Sequence, residues 1–150
     1  MEKWLHIEEF ITFRKVTFYT VRFEKDLEMD EMSEADKFFH KFENNIDNRD
    51  ELNKMIALLE DLGENIGANK ALFRHERRAD ALPPNKRIVK KYQLFDFLQT
   101  EEYKLRLYCL RLSDSVVILF NGGMKTQDDP EKCPNVRTHF NNAQIFAKKN

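Results

Sequence analysis

Four side chains carry chemistry suited to a phosphate or a nucleobase. The Arg106 guanidinium can fork two phosphate oxygens. Lys125, just after Gly122-Gly123, can stabilise negative charge. His75 can serve as general acid or base, because an imidazole ordinarily titrates near pH 6.5. Tyr108 shares the strand parity of Arg106 and can stack on a base. Each has a plainer alternative: a surface ion pair for Arg106, a solvated strand end for Lys125, a loop histidine for His75 and a half-buried sheet tyrosine for Tyr108. Arg111 changes parity near the turn and reads as structural.

The elements that must position these groups follow from periodicity. Along residues 103–111, Tyr103, Leu105, Leu107 and Cys109 share one face of a strand, and Lys104, Arg106 and Tyr108 share the other. Ser113-Asp114-Ser115 is a turn, and the apolar run 116–120 is a strand covered on both faces. Gly122-Gly123 allows a bend or a close backbone approach. Residues 71–91 form the basic centre, with Arg74, His75, Arg77, Arg78, Lys86, Arg87, Lys90 and Lys91. Pro83-Pro84 forbids one continuous helix there, so the segment reads as a loop, with a short strand near 92–97. Upstream, 16–23 is a strand, and 1–14 fits a helix through Trp4, Ile7 and Ile11 or an extended segment through Phe10 and Phe13. Ser33 opens a helix carrying Phe38, Phe39, Phe42 and Ile46. Asn48 opens a second helix with the stripe Leu52, Met55, Ile56, Leu59 and Leu62, which Gly63 or Gly67 ends. Val136, Phe140, Ala143 and Ala147 trace a terminal helix. The order predicts an α+β fold: a helical hairpin on a small antiparallel sheet, with a C-terminal helix.

Bulk composition narrows the function classes. The 150 residues read as one domain, 1–150, with 41% hydrophobic residues and 13 Phe to build a core. The net charge of −1 is segregated: residues 1–69 hold 9 Lys+Arg against 17 Asp+Glu, whereas 70–111 hold 11 against 5. The basic middle can face phosphates, or can be a solvated surface that neutralises the acidic helices. No apolar run is long enough for a membrane span, and the charged N-terminus does not read as a signal peptide, so a cytoplasmic protein is expected. Cys109 reads as a small core residue, and two cysteines do not make a zinc site. His6, His40 and His139 show no metal spacing, and no Gly-rich phosphate loop is present, so neither metal nor cofactor is expected.

Residues 104–127, KLRLYCLRLSDSVVILFNGGMKTQ, resemble the RelE/HigB-like toxins of bacterial type II toxin–antitoxin systems, in particular the phage-derived branch. A typical member has a run that aligns over 24 residues without a gap. The Arg of its E-L-R falls on Arg106, a later Arg on Arg111, and its K-T-Q on Lys125-Thr126-Gln127. Over 16–150 the likeness lies only in the order of elements. Lys104 stands where members carry Glu, Phe120 where many carry His, and Met124 where many carry Lys. Residues 79–100 look like an insertion, and the pI of 6.4 is lower than the basic values usual in the family.

The resemblance implies a RelE-like domain that cleaves mRNA on the ribosome without a metal, by attack of the 2′-OH on the adjacent phosphate. It implies an antitoxin, encoded by an adjacent gene, as partner. Catalysis would fall to Arg106, Lys125, Arg74 and His75, and RNA binding to Arg77, Arg78, Lys86, Arg87, Lys104 and Tyr108. The alternative is a non-catalytic RelE-like protein that serves as an RNA-binding module.

Overall fold

The computed structural model of the chain describes residues 6–23, 32–92, 103–126 and 130–149. Among the described residues six strands make one sheet: β1 (His6–Thr12), β2 (Thr17–Arg22), β3 (Arg74–Glu76), β4 (Ala79–Leu82), β5 (Leu105–Ser113) and β6 (Val116–Met124). Their order across the sheet is β1-β2-β6-β5-β4-β3. Neighbours are antiparallel except β2 and β6, which run parallel. The α-helices among the described residues are α1 (Glu34–Glu43), α2 (Arg49–Asp61), α3 (Lys86–Tyr92) and α4 (Arg137–Lys149). The α+β class is as the sequence predicts, but the sheet is larger than expected and mixed.

The sheet is covered on both faces, by a separate core on each side. Phe38, Phe42, Leu52, Met55, Leu58 and Leu62 of the α1–α2 hairpin pack on Phe18, Leu105, Leu107, Cys109, Val117 and Leu119. On the opposite face Val136, Phe140, Ala143 and Phe146 pack on Val21, Ala79, Ala81, Tyr108, Ile118 and Phe120. Alternation along β6 divides Val117 and Leu119 from Ile118 and Phe120, which is why that strand reads as a continuous apolar run.

Local chemistry accounts for the boundaries. Ser33 Oγ accepts from Asp36 N at 3.2 Å and caps α1. Asn48 sits at the N-cap of α2 without making the side-chain bond. Past α2 a single π-turn, Leu62–Ile66, closes at Gly67, whose φ of 95° is costly for any residue with a Cβ. Thr20 Oγ1 accepts from Ala35 N and donates to Leu119 O, both at 3.0 Å, which ties β2 to α1 and to β6.

Several expectations are corrected. Residues 6–12 are extended, not helical; Trp4 lies outside the described residues. Residues 71–91 are not a loop: they contain β3, β4 and α3. Residues 79–82 are not a peripheral insertion, because β4 pairs directly with β5. The strand expected near 92–97 meets α3 at Tyr92, and 93–97 fall outside the described residues, as does Gln127.

Candidate functional site

Register places the candidate residues. Arg74 pairs with Ala81, and Ala81 pairs with Tyr108, so the three form a row across β3, β4 and β5 on the α4 side. Ala81 is small, which leaves Arg74 and Tyr108 as neighbours across it. Glu76 lies two residues along β3 and Arg106 two residues along β5, both on this same face. The result is a compact group of two guanidiniums, a carboxylate and a phenol over a floor of Ala79 and Ala81.

Bonding leaves much of this group unspent. Arg74 Nε donates to Pro83 O at 2.8 Å. Arg106 Nη1 donates to Tyr103 O at 2.7 Å and to Leu105 O at 3.2 Å. Arg106 Nε and Tyr108 Oη are buried and have no hydrogen-bond partner among the described residues. Among the described residues no ion pair between Glu76 and either arginine closes the cluster; Glu76 contributes its backbone O to Gln144 Nε2.

The electrostatics agree with that geometry. Burial first, then the neighbouring Arg106 charge, lower the Arg74 pKa to about 10. Burial also lowers Arg106, opposed by Tyr108 and Glu76. The Tyr108 phenol is pushed up by burial and then by Glu76, so it stays protonated and can donate a hydrogen bond. Two like charges in a shared low-dielectric site form a place for an anion.

The same end of the sheet gathers other cations. Lys125 N donates to Lys104 O at 2.8 Å, next to the pair Leu105 and Met124. Glu51 anchors that end: its Oε1 accepts from Lys104 N at 2.8 Å and Leu105 N at 2.9 Å. Lys86 and Arg87 open α3 just beyond the end of β4 and are exposed.

Other expected residues are placed differently. His75 points to the opposite face, where its Nδ1 lies 2.9 Å from Asp80 Oδ1, so the sheet separates it from Arg106. Tyr108 is fully buried, with Phe140 edge-on at 5.8 Å, so its ring offers no face to a base. Arg106 is only 8% exposed, which corrects the expectation of a surface strand position. Arg77 and Arg78 form the β3–β4 turn at the far end of that hairpin, with Arg77 over the Phe140 ring and paired to Glu131. Glu76 was missed: the alternation in Arg74-His75-Glu76 puts it on the Arg74 face, but only once the segment is read as a strand.

A second polar group lies where β2 and β6 end. Buried Glu34 accepts from Asn121 Nδ2 at 3.3 Å, and His139 Nδ1 is buried nearby without a hydrogen-bond partner among the described residues. Burial first, then the charges of Lys41 and Lys37, lower the His139 pKa to about 4. The unfolded chain therefore takes up a proton below about pH 6.5 that the fold refuses until about pH 4, so this contribution to stability is complete above 6.5 and lost as pH falls. The thermal midpoint should drop between pH 7 and 4.5, and by less in His139→Gln. Equal drops in the two proteins would remove His139 as the cause.

Among the described residues no three His, Cys, Asp or Glu side chains are grouped to hold a metal ion, and no helix is long and apolar enough to cross a membrane. No family model, curated protein or solved structure matches the chain.

Proposed function

We propose that the chain is a RelE/HigB-like toxin, an endoribonuclease that cleaves mRNA on the ribosome without a metal, and that its reacting phosphate binds at Arg74 and Arg106. The observation that carries this reading is the pair of guanidiniums with unspent donors beside Glu76 on one sheet face. In the reaction Glu76 takes the 2′-OH proton as the oxygen attacks phosphorus. Arg74 and Arg106 hold the non-bridging oxygens as their charge grows. The P–O5′ bond breaks, Lys125 meets the charge on the leaving oxygen, that oxygen takes a proton from water, and the hydroxide left takes the proton held by Glu76, which restores the carboxylate. Arg74, the less buried arginine, meets the phosphate first, and Arg106 backs it. The partner is an antitoxin whose acidic segment covers this basic end.

Induced expression should arrest growth and cut transcripts inside reading frames, and Glu76→Gln should slow cleavage by about 100-fold, the scale of a lost general base. Cleavage should persist in EDTA once ribosome integrity is controlled. Normal growth with intact transcripts at high levels of soluble protein would sink the nuclease reading. A second reading, a non-catalytic RNA-binding module, draws on the burial of Arg106 and Tyr108, which leaves Arg74 as the more accessible group.

A further inference from the structure

The face opposite the arginine cluster carries an apolar groove of about 410 Å³ between β1 and the α1–α2 hairpin, which the described residues leave open. A β-bulge builds one wall. Glu9 pairs with Tyr19 and Ile11 with Phe18, so Phe10 is an extra residue, and both Phe10 and Ile11 line the groove. Phe10 stacks on Phe39 of α1, with ring centroids 5.8 Å apart and 7° between the planes. Phe13, Ile56 and Leu59 complete the floor. Ile11 and Ile56, both on the groove lining, are each 40% exposed, so the apolar surface they share is open to a partner.

The rim is charged. Glu43, Glu60 and Arg49 border the groove and are all exposed. Glu60 has no ion-pair partner among the described residues, and Glu43 faces only His40, at 3.1 Å. The helical hairpin beside it is acidic, with residues 34–61 holding 4 Lys+Arg against 8 Asp+Glu.

We propose that this groove docks an amphipathic helix of a partner protein whose apolar stripe is flanked by lysine or arginine. An apolar floor bordered by the exposed carboxylates Glu43 and Glu60, with Arg49 as the single cation of the lining, matches such a helix in both hydrophobicity and charge. An added strand fits less well, because the bulge breaks the outer edge of β1 midway. The proposal does not rest on the nuclease reading, since the groove and the arginine cluster lie on opposite faces of the sheet.

The test is selection from a random peptide library displayed on phage, followed by titration of the selected peptides, as labelled synthetic chains, against the intact protein. Selected sequences should repeat apolar residues at helical spacing with Lys or Arg beside them. Ile56→Glu should weaken their binding at least about 10-fold, the loss expected for one interface anchor. Glu60→Lys, a fully superficial change that leaves folding out of the question, should weaken them too and favour versions carrying Glu. Peptides with alternating apolar residues, peptides with acidic flanks, or no selection at all would overturn the proposal. So would binding that Ile56→Glu leaves unchanged. A dimer in sedimentation that Ile56→Glu dissolves would assign the groove to a second copy of this chain and overturn it as well.

Discussion

Replacing Arg106 by alanine is expected to damage the protein twice, in stability and in cleavage. The side chain is 8% exposed and gives two hydrogen bonds to the carbonyls of Tyr103 and Leu105. Alanine would leave those carbonyls short of a donor and open a cavity, a loss of about 2–4 kcal/mol. Cleavage should fall by about 100-fold or more if the guanidinium holds the developing phosphorane. Arg106→Met separates the two effects. It keeps most of the volume and so opens no large cavity, but it loses the same two hydrogen bonds to the Tyr103 and Leu105 carbonyls. The methionine variant should therefore melt above the alanine variant and below the parent, and still fail to cleave at saturating ribosome. Arg87→Ala, an exposed change on α3, should lose activity only through weaker binding and recover under the same conditions. A methionine variant that cleaves normally would reduce Arg106 to a structural arginine.

Gly122→Ala should be the most destabilising single-methyl addition in the β5–β6 hairpin. A Cβ there would lie 1.8 Å from Arg106 O and 2.8 Å from the Arg106 carbonyl carbon. Both are backbone atoms in the paired strand β5, so neither can swing aside as a side-chain end could. Overpacking of this kind costs roughly 3 kcal/mol or more. At 2–4 °C per kcal/mol, that corresponds to a fall of about 10 °C in thermal midpoint. Gly123→Ala meets Asn135 O at 2.7 Å, on the irregular stretch before α4, which can shift at lower cost. A smaller loss for Gly122→Ala than for Gly123→Ala would contradict this account of the strand contact.

The parts legible in the sequence are those whose signal is local. The stripe Leu52, Met55, Leu59 and Leu62, the Ser33 cap, the turn at Ser113–Ser115 and the face Val136, Phe140 and Ala143 all stand as the periodicity predicts. Ile56 departs from its stripe because it lines a groove instead of the core. The strands β3 and β4 are too short to show a period, and Arg74-His75-Glu76 has no apolar residue to mark a strand. The alternation in β5 assigns Arg106 and Tyr108 correctly to one face. It cannot say that a helix 30 residues downstream covers that face, and Phe140 does so for Tyr108. The strand parity of Arg106 and Tyr108 is therefore legible in the sequence, while their burial and the nearness of the Glu76 carboxylate depend on contacts that no local pattern encodes.

The parallel pairing of β2 with β6 also bears on how the chain reaches this fold. The bond from Thr20 Oγ1 to Leu119 O joins residues 99 positions apart. The β1–β2, α1–α2 and β5–β6 units can each form from near neighbours, but the sheet is one body only after that long loop closes. High contact order of this kind slows folding. During synthesis β2 must wait, one edge unpaired, until β6 has left the ribosomal tunnel. The β1–β2 hairpin thus spends most of translation as an open template, and the bulge at Phe10 protects one of its two edges from pairing with the wrong strand.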